Sequence, residues 1–187
     1  MTIIDIEDMP RTRIGTEPIQ KPGRSKQDYG TPQAFIDAVV LRFGPLACDL
    51  ACTRENRKAP EGYYFPETDS LRQPWAEHHP RGNLWLNPPF ADIDPWAEKC
   101  AASMHRNGFI LLLTPASIGC GWFSRHVLGK AVVLGLSPRL TFEGTTAPYP
   151  KDLMLSVYGY GLSGFDQWRW DAPCTTSPRK DTDDAGR

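Results

Sequence analysis

The sequence predicts an α/β fold, a mostly parallel sheet with helices on its flanks. Three observations predict it. Short apolar runs alternate along the chain with segments whose apolar residues recur at helical spacing, the pattern of βα units. The run Phe109 to Leu113 is apolar at every position, as a central parallel strand covered on both faces requires. Glycine, asparagine and proline punctuate the segments at Gly44-Pro45, Asn107-Gly108 and Gly129.

Each element follows in order. Thr31-Pro32 opens the first helix, because threonine is a good N-cap and proline suits the first helical position. Phe35, Ile36, Val39, Val40 and Phe43 then share one helical face, and Gly44-Pro45 ends the helix. Leu46 to Leu50 reads as a buried strand. Asn83 to Leu86 reads as a second, running into Asn87-Pro88-Pro89-Phe90. Asp94-Pro95 repeats the cap logic, and Trp96, Ala97, Cys100, Ala101 and Met104 form a helical stripe stopped by Asn107-Gly108. After the central strand, Trp122, Phe123, Val127 and Leu128 predict a helix ending at Gly129. Ala131 to Leu134 and Leu153 to Tyr158 predict two more strands. Trp75, Trp85 and Trp96 are expected in the core, and His105 and His126 on solvent-facing sides of helices.

The folded unit is expected over residues 29–170. Residues 1–28 are polar, with Pro10, Pro18, Pro22 and Gly23, and are expected to form a mobile arm. Residues 171–187 hold almost nothing apolar and are expected to be a disordered tail.

The chain has 187 residues, 40% hydrophobic and 23% charged, which suits one domain with a real core. No transmembrane run and no secretory h-region is legible, so the expected location is the cytoplasm, with no membrane partner. Five cysteines, an odd count without a CxxC pair, suit a reducing compartment, and no metal site is expected. Net charge is −1, which excludes a protein that coats nucleic acid nonspecifically but leaves room for a local basic face.

Ligands of open α/β sheets sit beyond the carboxyl ends of strands. That directs attention to Asp49 to Glu55, Asn87 to Phe90, and Thr114 to Ser117. The strongest feature is Asn87-Pro88-Pro89-Phe90, directly after an apolar strand. Two prolines fix φ and remove two N–H donors, so the turn is rigid while its carbonyls still accept. The asparagine adds a side-chain acceptor and the phenylalanine a flat apolar face. This combination suits a planar group bearing an NH₂. Two acceptors, the Asn87 side-chain oxygen and the Pro88 carbonyl, can hold both amino hydrogens and stabilise positive charge developing on the nitrogen. Phe90 can stack on a base turned out of its duplex, a contact worth roughly 1–3 kcal/mol. On the residues alone, adenine N6, cytosine N4, an RNA adenine or a glutamine amide would fit. So would a nucleic-acid-binding module with a decayed site.

Further residues sharpen the reading. Tyr29-Gly30-Thr31-Pro32, Asp49-Leu50-Ala51 with Asn56, Thr68-Asp69-Ser70-Leu71 with Trp75, Asn87-Pro88-Pro89-Phe90, Leu112-Leu113-Thr114-Pro115-Ala116 with Trp122-Phe123, and Arg139-Leu140-Thr141-Phe142 stand in this order. With them the chain resembles the phage-type, Dam-like DNA N6-adenine methyltransferase family, also carried by prophages, from Tyr29 to about Tyr158. The resemblance implies a trimmed, Rossmann-like methyltransferase sheet, S-adenosyl-L-methionine as cofactor, double-stranded DNA as partner and a bacterial host cell as location. It also implies roles. Asn87, Pro88, Pro89 and Phe90 would be catalytic. Tyr29, Thr31, Pro32, Asp49, Asp69 and Asn87 would bind cofactor, with Asp69 accepting from the cofactor's adenine amino group. Two departures stand out. Phe90 replaces the family's usual tyrosine, and no glycine-rich loop follows Asp49. The segment 51–83 is too short for two full helix–strand units, so the cofactor half of the sheet is expected to be trimmed. Arg54, Arg57, Arg139 and Lys151 are the candidate DNA-binding residues, in segments too short to form a recognition domain. A recognition site of about one to three base pairs is therefore expected.

Overall fold

The computed structural model describes residues 30–171 apart from Met104. Tyr29, Met104, the expected arm and residues 172–187 lie outside the described residues. Among the described residues seven strands form one sheet in the order β2-β1-β3-β4-β6-β5-β7. They are β1 (Leu46–Asp49), β2 (Gly62–Tyr63), β3 (Asn83–Leu86), β4 (Ile110–Pro115), β5 (Val132–Ser137), β6 (Leu153–Tyr158) and β7 (Gly164–Arg169). β1 pairs parallel with β2 and β3, β3 with β4, and β5 with β7. β6 runs antiparallel to both β4 and β5, between which it lies. One reversed strand in an otherwise parallel sheet is the mostly parallel α/β architecture that the apolar runs predict.

The trimming is visible as well. Between β1 and β3 there is only the two-residue β2, two single 3₁₀ turns at Pro66–Thr68 and Ser70–Arg72, and the four-residue helix α2 (Trp75–His78). The longer helices are α1 (Gln33–Phe43), α3 (Asp94–Ala102) and α4 (Gly121–His126). None among the described residues is long and apolar enough to cross a membrane.

Strand alternation sends side chains to two cores. Leu111 and Leu113 of β4 face α1, where Phe35, Ile36 and Val39 are buried with Trp85. Ile110 and Leu112 face the other way, onto Ala97 and Cys100 of α3 and Phe123 of α4. Trp75 and Trp85 are both about fully buried, as expected, and Phe35 meets Trp85 edge-on at 6.2 Å. Of the apolar residues that mark the helical segments, Val40 and Leu128 are 37% and 54% exposed.

Both expected helix caps differ. α1 starts at Gln33, with Pro32 in the cap position and no side-chain cap bond. α3 starts at Asp94 itself, again without a side-chain cap. The Asp94 carboxylate instead meets Arg125 at 2.6 Å and His126 at 3.1 Å, tying α3 to α4. His126 is thus drawn into an interhelical contact instead of facing solvent. His105 lies beyond the end of α3 and is buried, its Nε2 2.6 Å from the Gly82 carbonyl. Strands β2 and β7 are not legible from periodicity. β2 is two residues long, and β7 buries only Trp168.

Candidate active site

A cavity of about 350 Å³ opens beyond the carboxyl ends of β1 and β3. Its wall has three parts: Leu50 to Thr53 with Asn56 after β1, Tyr64 to Pro66 and Asp69 to Leu71 around the 3₁₀ turns, and Asn87 and Pro89 after β3 with Trp96 from α3. Two of the three expected segments therefore meet. Thr114 to Ser117, the third, is not among the lining residues; Thr114 is fully buried in β4.

Asp49 ends β1 and is 2% exposed. Its carboxylate accepts from the backbone N–H of Ala51 at 3.3 Å and of Lys58 at 2.9 Å. It thereby closes the loop that forms the first wall and does not itself line the cavity. Burial pushes its carboxyl up to about 6, against the two N–H groups, which lower it. Within that loop the Thr53 hydroxyl accepts from the N–H of Glu55 and Asn56, while Asn56 Oδ1 accepts from Thr53 N–H at 2.6 Å. The loop is held by its own short polar side chains where other dinucleotide-type loops use glycines.

Asp69 lines the cavity from the junction of the two 3₁₀ turns, at φ 44° and ψ 71°. It is the one non-glycine residue with positive φ among those described. Its neighbours are pinned from behind. Trp75 Nε1 donates to the Ser70 carbonyl at 2.8 Å, and Lys99 Nζ donates to the Leu71 carbonyl at 2.7 Å. Trp96 stacks on Trp75 with centroids 6.4 Å apart and completes the wall. Asp69 also pairs with Arg72 at 2.9 Å, both side chains being exposed.

The turn after β3 forms the rim. Pro88 is buried; Asn87, Pro89 and Phe90 are half-buried. Asn87 Nδ2 donates to the Thr31 hydroxyl at 3.2 Å. Thr31 and Pro32 are not among the cavity's lining residues. The Phe90 ring meets Phe142 at 6.1 Å and Tyr149 at 5.8 Å, both edge-on, so one side of it belongs to an aromatic cluster with the loop after β5. That loop reaches back to the first wall. Glu143 meets Lys58 Nζ at 2.6 Å, and its N–H donates to the Gly30 carbonyl at 2.9 Å.

The candidate nucleic-acid contacts separate into two groups. Arg54 stacks on Phe65 at 4.7 Å and Arg57 on Tyr63 at 4.6 Å, along the open edge at β2. Arg139 is engaged by Asp152 at 2.9 Å, next to the exposed Lys151. Tyr64, Phe65, Pro66 and Trp96 are lining residues that the motif reading does not name. The only sequence signal for the first three is the aromatic run Tyr63-Tyr64-Phe65 before a proline.

Comparison with known proteins bears on this site. A DNA N-6-adenine-methyltransferase of Escherichia phage T1 is 29% identical over 120 residues, covering 64% of this chain and 49% of that protein. The chain thus spans about half the length of this relative. A family model described as DNA N-6-adenine-methyltransferase (Dam) matches residues 20–148, well over half of the chain. The matched span takes in Asp49, Asp69, the Asn87 to Phe90 turn and the Phe142–Glu143 contacts, and stops short of Lys151. The chain belongs to the DNA N-6-adenine-methyltransferase (Dam) family.

Proposed function

We propose that this chain methylates the N6 amino group of adenine in double-stranded DNA, with S-adenosyl-L-methionine as donor. The observation that carries the reading is the shared wall: Asn87 and Pro89 of the rigid turn line the same cavity as Asp69 and the loop after β1. One cavity thus joins a cofactor-sized space to a turn suited to an amino group. Family membership supports the same reading.

The residues fit the donor. A volume of about 350 Å³ falls in the range of small-molecule sites, and its wall is mostly apolar with few polar groups. Leu50, Tyr64, Phe65, Leu71 and Trp96 offer surfaces for a purine, and Asp69 offers a carboxylate to an exocyclic amine. S-adenosylmethionine, when bound, supplies an electrophilic methyl group on a sulfonium. The chain's own task is orientation. Asn87 and the Pro88 carbonyl accept from the adenine amino group, which favours a more tetrahedral nitrogen and stabilises its developing charge. Phe90 supports an adenine that has left the duplex stack. Its contacts with Phe142 and Tyr149 fix the ring in place before the base arrives.

The test is incubation of the full chain with labelled S-adenosylmethionine and duplex DNA, followed by nucleoside mass analysis. N6-methyladenine is the expected product; N4-methylcytosine, or no transfer to DNA, would overturn the reading. Asn87→Ala should lower the rate by about a hundredfold or more while leaving cofactor affinity within a few-fold, because an acceptor of the reacting amine acts mainly in the transition state.

A further inference from the structure

We propose that Thr31 is a positioning residue for Asn87, holding the carboxamide in the plane that its role as amino acceptor needs. The inference rests on that role and adds to it.

The sequence predicts two other jobs for Thr31, helix cap and, by the resemblance, cofactor contact, but Thr31 is not among the residues lining the cavity. The structure shows no side-chain cap on α1. The hydroxyl, in a residue only 2% exposed, is instead 3.2 Å from Asn87 Nδ2. A carboxamide has a donor branch and an acceptor branch that diverge from one carbon. Spending the donor branch on Thr31 sets the rotation of the group and turns the carbonyl branch away from Thr31. The opposite flip would present NH₂ to an incoming NH₂, a donor facing a donor.

Thr31 can do this because it is anchored on both sides. Ahead of it, the Gly30 carbonyl accepts from Glu143 N–H at 2.9 Å, and the Glu143 side chain is held by Lys58. The approach is close: a Cβ on Gly30 would press on the Glu143 side chain, whose carboxylate would have to leave its place beside Lys58. Behind it, Pro32 has its φ fixed, and its carbonyl receives the first N–H groups of α1, from Phe35 and Ile36. Phe35 is fully buried against Trp85, which is on β3 two residues before Asn87. Helix and strand are therefore docked to each other immediately beside the contact, and the hydroxyl moves with the strand that carries Asn87.

The experiment compares Thr31→Val, Thr31→Ser and Thr31→Ala with the parent chain and with Asn87→Ala, in single-turnover methyl transfer. Thermal unfolding and S-adenosylmethionine affinity are measured on each. Valine keeps the shape and removes the oxygen; serine keeps the oxygen. The expected result is a fall of about tenfold or more in rate for valine and alanine, from loss of one partner of a buried hydrogen bond. Cofactor affinity should stay within about twofold, and serine should stay near the parent rate. A parent-like rate in Thr31→Val overturns the proposal, as does a loss of cofactor affinity that accounts for the whole loss of rate. If valine does not fold, alanine decides by the same criteria. Asn87→Ala separates the two claims. If it is inactive while Thr31→Val is normal, only the positioning role falls. If it is active, the acceptor reading falls and the positioning role with it.

Discussion

Asp69 occupies a backbone region that costs an L-residue about 1–2 kcal/mol, although aspartate tolerates it better than most. The hydrogen bonds from Trp75 and Lys99 hold that conformation from outside the residue. Asp69→Gly separates the backbone from the carboxylate, since glycine adopts this φ freely. Stability in urea should stay within about 1 kcal/mol, because relief of strain and the extra freedom of the unfolded chain offset each other. Affinity for S-adenosylmethionine should fall about tenfold, as expected for loss of a charged acceptor. Unchanged affinity would leave Asp69 with a role in the turn alone. At this scale sequence reasoning picks out two residues that line the cavity, Asn87 and Asp69, and misses the partners of others. Asn87 and Asp69 are legible because their neighbours, Pro88-Pro89 and Ser70-Leu71, fix a local pattern. Thr31 and Asp94 look like caps by the same local rules, yet both side chains are spent on contacts 31 residues or more away in the chain. Capping rules see one turn of helix; they carry no information on what a neighbouring strand or helix offers.

At the scale of elements, the end of β1 carries a titration. The Asp49 carboxyl rises from the ordinary 3.8 to about 6 because burial disfavours its charge. The folded chain therefore binds the proton more tightly than the unfolded chain. Stability from this group is greatest at low pH and is lost as pH rises through about 6. Relative to the non-titrating Asp49→Asn, the parent chain should lose about 3 kcal/mol of unfolding free energy between about pH 3 and pH 7. Urea unfolding of both chains across that range measures it, and a pH-independent difference would mean that Asp49 titrates as an ordinary carboxyl. The strands that sequence reasoning finds are those whose two faces are both covered, such as β4, where no alternation is needed to see them. β2 exists because Cys48 and Asp49 offer it a register, not because Gly62-Tyr63 is a strand by itself. β7 is held by six register positions along β5, while its own residues face mostly solvent. Pairing is a long-range property, and these two strands are known only through it.

At the scale of the whole molecule, charge sets the expected mode of DNA binding. Arg54 and Arg57 lie on the edge at β2, braced by aromatic rings, while Arg139 already has a carboxylate partner. Replacing Arg54 and Arg57 together by alanine should lower the log–log salt slope of DNA binding by about 2, and Arg139→Ala by clearly less. Equal effects would place phosphate contacts on the loop of Arg139 as well. Among the described residues few side chains remain to read base edges, so methylated positions on random duplex DNA should share no more than about three defined bases. A single site of four or more would mean that one of these loops reads sequence. The position of β6 has a consequence of a different kind. A ribosome delivers β5 before β6, yet β5 makes no pairing with β1 to β4 and joins them only through β6. Every lining residue of the cavity lies between Leu50 and Trp96, so the site is translated long before its sheet can be completed. A nascent chain halted between β5 and β6 would carry all of those residues, an uncapped edge on β4 and an orphan strand, the unpaired edges that invite aggregation. Competence should therefore appear abruptly during synthesis, once the ribosome has released β6 and then β7, which ends at Arg169, and not in proportion to the length of chain made.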